Sequence, residues 1–137
     1  MPHLKAISLS KSYPNKSALI DCSFSASDGE LIGILGANGA GKSTLIKILA
    51  GVLKPETGDA FLNGHSILNE RREAQGKIGY LPEVTGGFDD ITVSEFLSFS
   101  ANAHGIFGNA MRSAISSICE ELNLGEVKYQ RLSAESL

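Results

Sequence analysis

A chain of 137 residues holds one domain with a real core, or part of one. Its 42% hydrophobic and 20% charged residues are ordinary for a globular chain, and a net charge of −3 argues against a basic nucleic-acid surface, so no nucleic-acid partner is expected. No apolar run approaches the ~18 residues that span a bilayer, and the opening MPHLKAISLSKSY has no signal-peptide core, which leads us to expect a cytoplasmic protein.

Leu4 to Leu9 alternates loosely and reads as a strand, and Lys11 to Lys16 reads as a turn centred on Pro14-Asn15. Ala18 to Ala26 sets Leu19, Asp21, Ser23 and Ser25 against Ile20, Cys22, Phe24 and Ala26, a period of two that predicts a half-buried strand. Ser27-Asp28-Gly29 is a further turn, and Glu30 to Leu35 (ELIGIL) is an apolar run of strand length.

Next comes GANGAGKST, Gly36 to Thr44. Gly36, Gly41, Lys42 and Ser43 fit the phosphate-loop pattern G-x-x-x-x-G-K-S/T at every fixed position. Thr44 to Ala50 follows as a mostly apolar helix closed by Gly51. The motif therefore stands where a strand turns into a helix, which is the geometry an anion site needs. Glycines bring the backbone close to an anion with no Cβ between, and the free N–H groups of the first helical turn face it. In this arrangement Lys42 serves the β- and γ-phosphates, and the Ser43 hydroxyl serves Mg²⁺. The backbone through Asn38, Gly39, Ala40, Gly41, Lys42, Ser43 and Thr44 wraps the phosphate chain. A bare glycine turn between strand and helix has no need of the Lys-Ser pair.

Pro55 stops the helix from resuming. Thr57 to Leu62 reads as a short strand ended by an Asn63-Gly64 turn. Asn69 to Gln75 is polar, mixed in sign and read as an exposed helical turn, and Lys77 to Leu81 reads as a second core strand stopped by Pro82. Thr92 opens a helix with a capping box, because Glu95 lies three residues on, and Val93, Phe96, Leu97 and Ala101 share one face before Gly105. Asn109 is expected to cap a last helix with Met111, Ile115, Ile118 and Leu122 on its apolar face and Gly125 at its end. Cys22 and Cys119 lie far apart among apolar neighbours and read as reduced, buried thiols. His3, His65 and His104 show no metal-ligand spacing.

Several separate segments together resemble the ATP-binding subunit of ABC transporters. These are LSKSYPNKSALIDCSFSASDGE (Leu9 to Glu30), LGANGAGKSTLIKILAG (Leu35 to Gly51) and KPETGDAFLNG (Lys54 to Gly64). IGYLPE (Ile78 to Glu83) and FDDITVSEFLSFSANAHGI (Phe88 to Ile106) look like the subgroup that drives ABC-2-type exporters. The resemblance runs from about residue 4 to 133. It implies an α/β fold: a P-loop NTPase core with a small antiparallel β subdomain and the start of an α-helical subdomain, incomplete. Residues 1–87 would form the core and β subdomain, and 88–137 the helical subdomain.

The resemblance also implies roles. Tyr13 matches the aromatic that stacks on adenine. Glu83 falls where most members have a glutamine touching Mg²⁺ and the attacking water, and is given a catalytic and metal role with Lys42 and Ser43. The cofactors implied are ATP and Mg²⁺. The partners implied are a membrane-spanning permease subunit and a paired ATPase subunit or second copy, with the protein peripheral at the inner face of the cell membrane. Leu132-Ser133 aligns with the start of the family's LSGG signature, but Ala134 and Glu135 replace its glycines. A carboxylate at Glu135 would meet phosphate as a like charge, which argues against a signature role for Ser133. The second acidic strand, the dimer-contact loop and the switch histidine have no counterpart here. A truncated or fragmentary ATPase subunit with very slow hydrolysis is therefore expected, and the alternative is a nucleotide-binding module without turnover. A GTPase is disfavoured because Asn15-Lys16-Ser17-Ala18 lacks the aspartate of N-K-x-D. A small kinase is disfavoured because the arginines form no lid-like cluster.

Overall fold

The computed structural model describes residues 3–83, 88 and 90–132. Two bulges decide how its first hairpin buries its side chains. Strand β1 (Leu4–Tyr13) runs antiparallel to β2 (Lys16–Ala26), with Leu4 opposite Ala26 at one end and Tyr13 opposite Lys16 at the other. Ser8 and Asp21 each adopt φ 47, outside the strand region, and the register shifts between Ala6 and Lys11. The backbone N–H of Ser8 donates to Ser23 Oγ at 2.8 Å, and that of Asp21 to Ser10 Oγ at 3.0 Å, so neither bulge strands its donor. Each bulge shifts the inward phase by one residue. Ala6 and then Leu9 are buried on β1; Leu19 is buried on β2, and the inner side resumes at Cys22, Phe24 and Ala26. Ile20, expected on the apolar side by strict alternation, is 79% exposed for this reason.

Strand β3 (Thr57–Leu62) pairs antiparallel with the other edge of β1, and β4 (His65–Ser66) closes on β3 through the Asn63-Gly64 turn. The sheet order is β2-β1-β3-β4. Helix α1 (Lys42–Leu49) lays Leu45 and Ile48 on this sheet, and α2 (Arg71–Gln75) adds Ala74. With Ala6, Leu9, Leu19, Ala60, Leu62 and Ile67 they make one core. Leu9 and Ile48 are fully covered, each contributing roughly 1.5–3 kcal/mol by burial. Helix α1 ends in a left-handed Gly51, where Gln75 Nε2 donates to the Ala50 carbonyl at 3.2 Å.

Two expected strands are not formed. Residues 30–35 and 77–81 make no ladder among the described residues. A strand exists by pairing, and no described segment pairs with either run. Ile34 and Ile78 still pack against the core, but the leucines of these runs are left uncovered: Leu31, Leu35 and Leu81 are 87–101% exposed. The first turn is also shorter than expected, since β1 continues to Tyr13 and only Pro14-Asn15 bridge the strands.

The chain divides into two compact units, Met1–Tyr80 and Leu81–Leu137. The second unit contains α3 (Val93–Ala103) packed on α4 (Gly108–Glu121). Helix α3 begins with the expected capping box: the Glu95 N–H donates to Thr92 Oγ1, and Glu95 Oε2 accepts from the Thr92 N–H at 2.7 Å. In α4 the expectation needs two corrections. Phe107, not Asn109, is the N-cap, and Asn109 Oδ1 instead accepts from Arg112 one turn on. The covered residues are Ile115 and Cys119, while Ile118, inside the helix, is 38% exposed and Leu122, its C-cap, 62%, so the buried stripe runs through 115 and 119 and not through 118 and 122.

Candidate functional site

The residues of the phosphate-loop pattern fold as a turn that leads directly into α1. The Ala40 N–H donates to the Ala37 carbonyl at 3.1 Å, and Gly39 and Gly41 adopt φ 78 and 91. Both conformations are left-handed and open to glycine at little cost. Gly41 has a second reason to be glycine, because an added Cβ would stand 2.0 Å from the Ala18 carbonyl oxygen. The loop is thus seated against the start of β2.

Gly41 is also the N-cap of α1, and it offers no side chain to the first-turn N–H groups. The first turn carries no acidic residue. The positive end of the helix dipole is therefore not neutralised from within the helix, which favours an anion there by about 0.3–1 kcal/mol. Lys42, in that first turn, bends back over the loop. Its Nζ donates to the Gly36 carbonyl at 2.6 Å and to the Ala37 carbonyl at 2.8 Å. Ser43 is exposed, and Thr44 half-buried, in the same turn. Six consecutive loop residues, one ammonium and a helix start are thus gathered in a single curve.

The β1–β2 hairpin approaches this curve. Tyr13 is 46% exposed at its tip, and the Lys16 ammonium, opposite it in register, donates to the Gly39 carbonyl. Sequence reasoning missed the Lys16 contact. A lysine in a Pro-Asn turn carries no signal of where its head will go, and only the fold brings residue 16 beside residue 39. Glu83 is exposed and belongs to the second unit. Ser133, Ala134 and Glu135 lie outside the described residues.

A hollow of about 640 Å³ lies elsewhere in the first unit, lined by His3, Lys5, Ile7, Asp28, Phe61, Asn63 and Gly64. None of these belongs to the loop, and their residue types bring no nucleophile–base pair or glycine cradle together. The loop chemistry, not the hollow, therefore locates the candidate site.

Comparison with known proteins gives the same direction. The family profile described as ABC transporter matches residues 19–137. An uncharacterised ABC transporter ATP-binding protein of Bacillus subtilis is 34% identical over 129 residues, covering 94% of this chain and 42% of that protein. A second uncharacterised ABC transporter ATP-binding protein, from Methanocaldococcus jannaschii, is 34% identical over 131 residues, covering 96% of this chain and 45% of that one. The chain thus spans less than half the length of these relatives. Among solved structures, an ATP-binding subunit of an ABC transporter superposes with a TM-score of 0.81 at 27% identity, covering 96% of this chain and 56% of that one. The cbiO1 protein of Clostridium perfringens, part of the ABC transporter complex cbiONQ, superposes with a TM-score of 0.75 at 25% identity, covering 97% and 56%.

Proposed function

Because the chain belongs to the ABC transporter family, we propose that it binds MgATP through the loop from Gly36 to Thr44, as part of an ATPase subunit that couples ATP binding and hydrolysis to export across a membrane. One observation carries the reading: the Lys42 ammonium lies against two loop carbonyls at the mouth of a helix start that has neither a capping side chain nor an acid. A cation and the N–H groups of a helix start converging on a glycine loop recognise a polyphosphate.

The residues fit the group. Left-handed glycines at 39 and 41 keep Cβ atoms out of the curve, Lys42 matches the charge of the β- and γ-phosphates, and the Ser43 hydroxyl is a ligand type suited to Mg²⁺. Bound Mg²⁺ would neutralise phosphate charge. Tyr13 stacks on the base in this reading, and Glu83 is assigned to Mg²⁺ and the attacking water. Residues 1–87 act as the nucleotide-binding core with its β subdomain, and 88–137 as the helical subdomain. The partners are a membrane-spanning permease subunit and a paired ATPase subunit, with the protein held at the inner face of the cell membrane. None of the helices among the described residues is long and apolar enough to cross the membrane itself.

Titration with MgATP tests the loop. Lys42→Ala should weaken binding at least about tenfold, or ~1.4 kcal/mol. Unchanged affinity would remove the loop from the binding site. Phosphate release measured on the same samples separates turnover from binding: nucleotide bound without release would keep the loop assignment and withdraw the ATPase activity from this chain.

A further inference from the structure

The loop receives two ammonium groups, and they come from different elements. Lys42 reaches back from α1 to the carbonyls of Gly36 and Ala37. Lys16 reaches across from the tip of the β1–β2 hairpin to the carbonyl of Gly39. A Cβ placed on Gly39 would lie 2.7 Å from Lys16 Nζ, so this head rests directly on the left-handed crest of the loop.

Packing fixes that reach. Two residues beyond Lys16, the Ala18 carbonyl abuts Gly41 so closely that no Cβ fits between them, and Leu19 Cδ2 would stand 3.2 Å from the same Cβ. The start of β2 is therefore seated on the loop by its backbone, and Lys16 is delivered from a fixed base. Tyr13 faces Lys16 across the hairpin, so the tip carries an aromatic ring and a cation at one level.

Among the described residues, the ion pairs are His3–Asp28, His65–Glu70 and Arg131–Asp90. Lys16 and Lys42 rest on neutral carbonyls instead. A carbonyl is a weaker acceptor for an ammonium than a phosphate oxygen, because only the phosphate adds an opposite charge. Rotation of the flexible stem is enough to exchange one for the other.

We infer that Lys16 is a further nucleotide-binding residue, a second ammonium for the phosphate chain. This rests on the reading of the Gly36–Thr44 loop as the nucleotide site. Its contribution is charge, so it grows with the number of phosphates and falls with salt.

The test titrates the chain with MgATP and with AMP, in the wild type and in Lys16→Met, Lys16→Arg and Lys42→Ala, with circular dichroism confirming that each variant is folded. Lys16→Met should weaken MgATP about fivefold, as an exposed charge contact does, and AMP clearly less. Lys16→Arg should keep most of the affinity, and the Lys16→Met loss should shrink as salt is raised. If Lys16→Met binds MgATP as the wild type does while Lys42→Ala is weakened, the inference fails and the loop reading stands. Equal losses for MgATP and AMP, or a loss in Lys16→Arg as large as in Lys16→Met, also overturn it, because Lys16 would then hold the hairpin and not the phosphates. A wild-type chain that binds no MgATP overturns the loop reading and this inference with it.

Discussion

A Cβ built on Gly41 would stand 2.0 Å from the carbonyl oxygen of Ala18. The N-cap of α1 and a residue near the start of β2 are thus in backbone contact. The loop cannot change shape there without moving the first hairpin. Sequence motif and strand backbone meet at this point.

The first prediction follows from that contact. Gly41→Ala combines a left-handed φ of 91 with a clash against backbone that has no rotamer to escape into. It should cost more than about 2 kcal/mol of stability by urea unfolding and reduce MgATP binding at least as far as Lys42→Ala. Gly36→Ala is the control. Its Cβ would meet side chains alone, the Ala40 methyl at 3.2 Å and Lys42 Cδ at 4.0 Å, with no positive φ to maintain, so its loss of stability should be under half that of Gly41→Ala. Equal losses at the two positions would show that the Ala18 contact does not hold the loop.

Gly58→Ala separates stability from binding. Gly58 has φ 80, and a Cβ there would lie 2.3 Å from the Ile7 carbonyl oxygen and 2.4 Å from that of Ser8, at the β1 bulge. The substitution should destabilise the sheet by more than about 2 kcal/mol. Gly58 touches no loop residue in these contacts, so the folded fraction should bind MgATP with wild-type affinity. A large affinity loss in folded Gly58→Ala would mean that the β1 bulge transmits strain to the loop.

These two glycines also mark what the sequence could and could not reveal. Gly41 was legible, because fixed spacing ties it to Lys42 and Ser43 and the motif supplies its chemistry. Gly58 was legible only as part of a turn-like Thr57-Gly58-Asp59, since its requirement comes from a carbonyl fifty residues earlier. The bulges at Ser8 and Asp21 were invisible for a related reason. Alternation predicts one phase for a strand, and Ile20 was assigned inward by that rule. The phase changes because Ser10 and Ser23 hydroxyls across the ladder satisfy the displaced N–H groups, a cross-strand fact. Runs 30–35 and 77–81 read as strands from apolar content, but content reports a wish for burial and not the neighbour that provides it. The capping box at Thr92 was fully legible, because its two partners lie three residues apart.

Tyr13 gives a prediction about the base. It ends β1, half-exposed, beside a hairpin tip that reaches the loop. Tyr13→Ala should weaken MgATP and MgGTP by the same factor, roughly 1–3 kcal/mol, because a ring stacks on any base. Tyr13→Phe should bind both as the wild type does. A loss confined to ATP, or shared by Tyr13→Phe, would assign the hydroxyl a hydrogen bond and dismiss stacking.

The last prediction concerns pH and the second unit. The Thr92 backbone N–H, and then its hydroxyl, hold the Glu95 carboxyl below its ordinary range by favouring the charged form. A carboxyl depressed in the folded state stabilises above its unfolded pKa, and that contribution is lost as pH falls through the ordinary carboxylate range to the lower folded value. Glu95→Gln should therefore be less stable than the wild type at pH 7, with the gap in melting temperature closing as pH drops toward 3. Thr92→Ala, which removes the cap itself, should cost about 1 kcal/mol at neutral pH. The wild type alone does not report this effect, because Glu70 is likewise held low by His65 and the Ser66 N–H in the first unit and titrates in the same window. The difference between wild type and Glu95→Gln removes that shared contribution. A gap that stays constant from pH 7 to 3 would show that the Glu95 side chain acts at the α3 start by shape alone, without its charge.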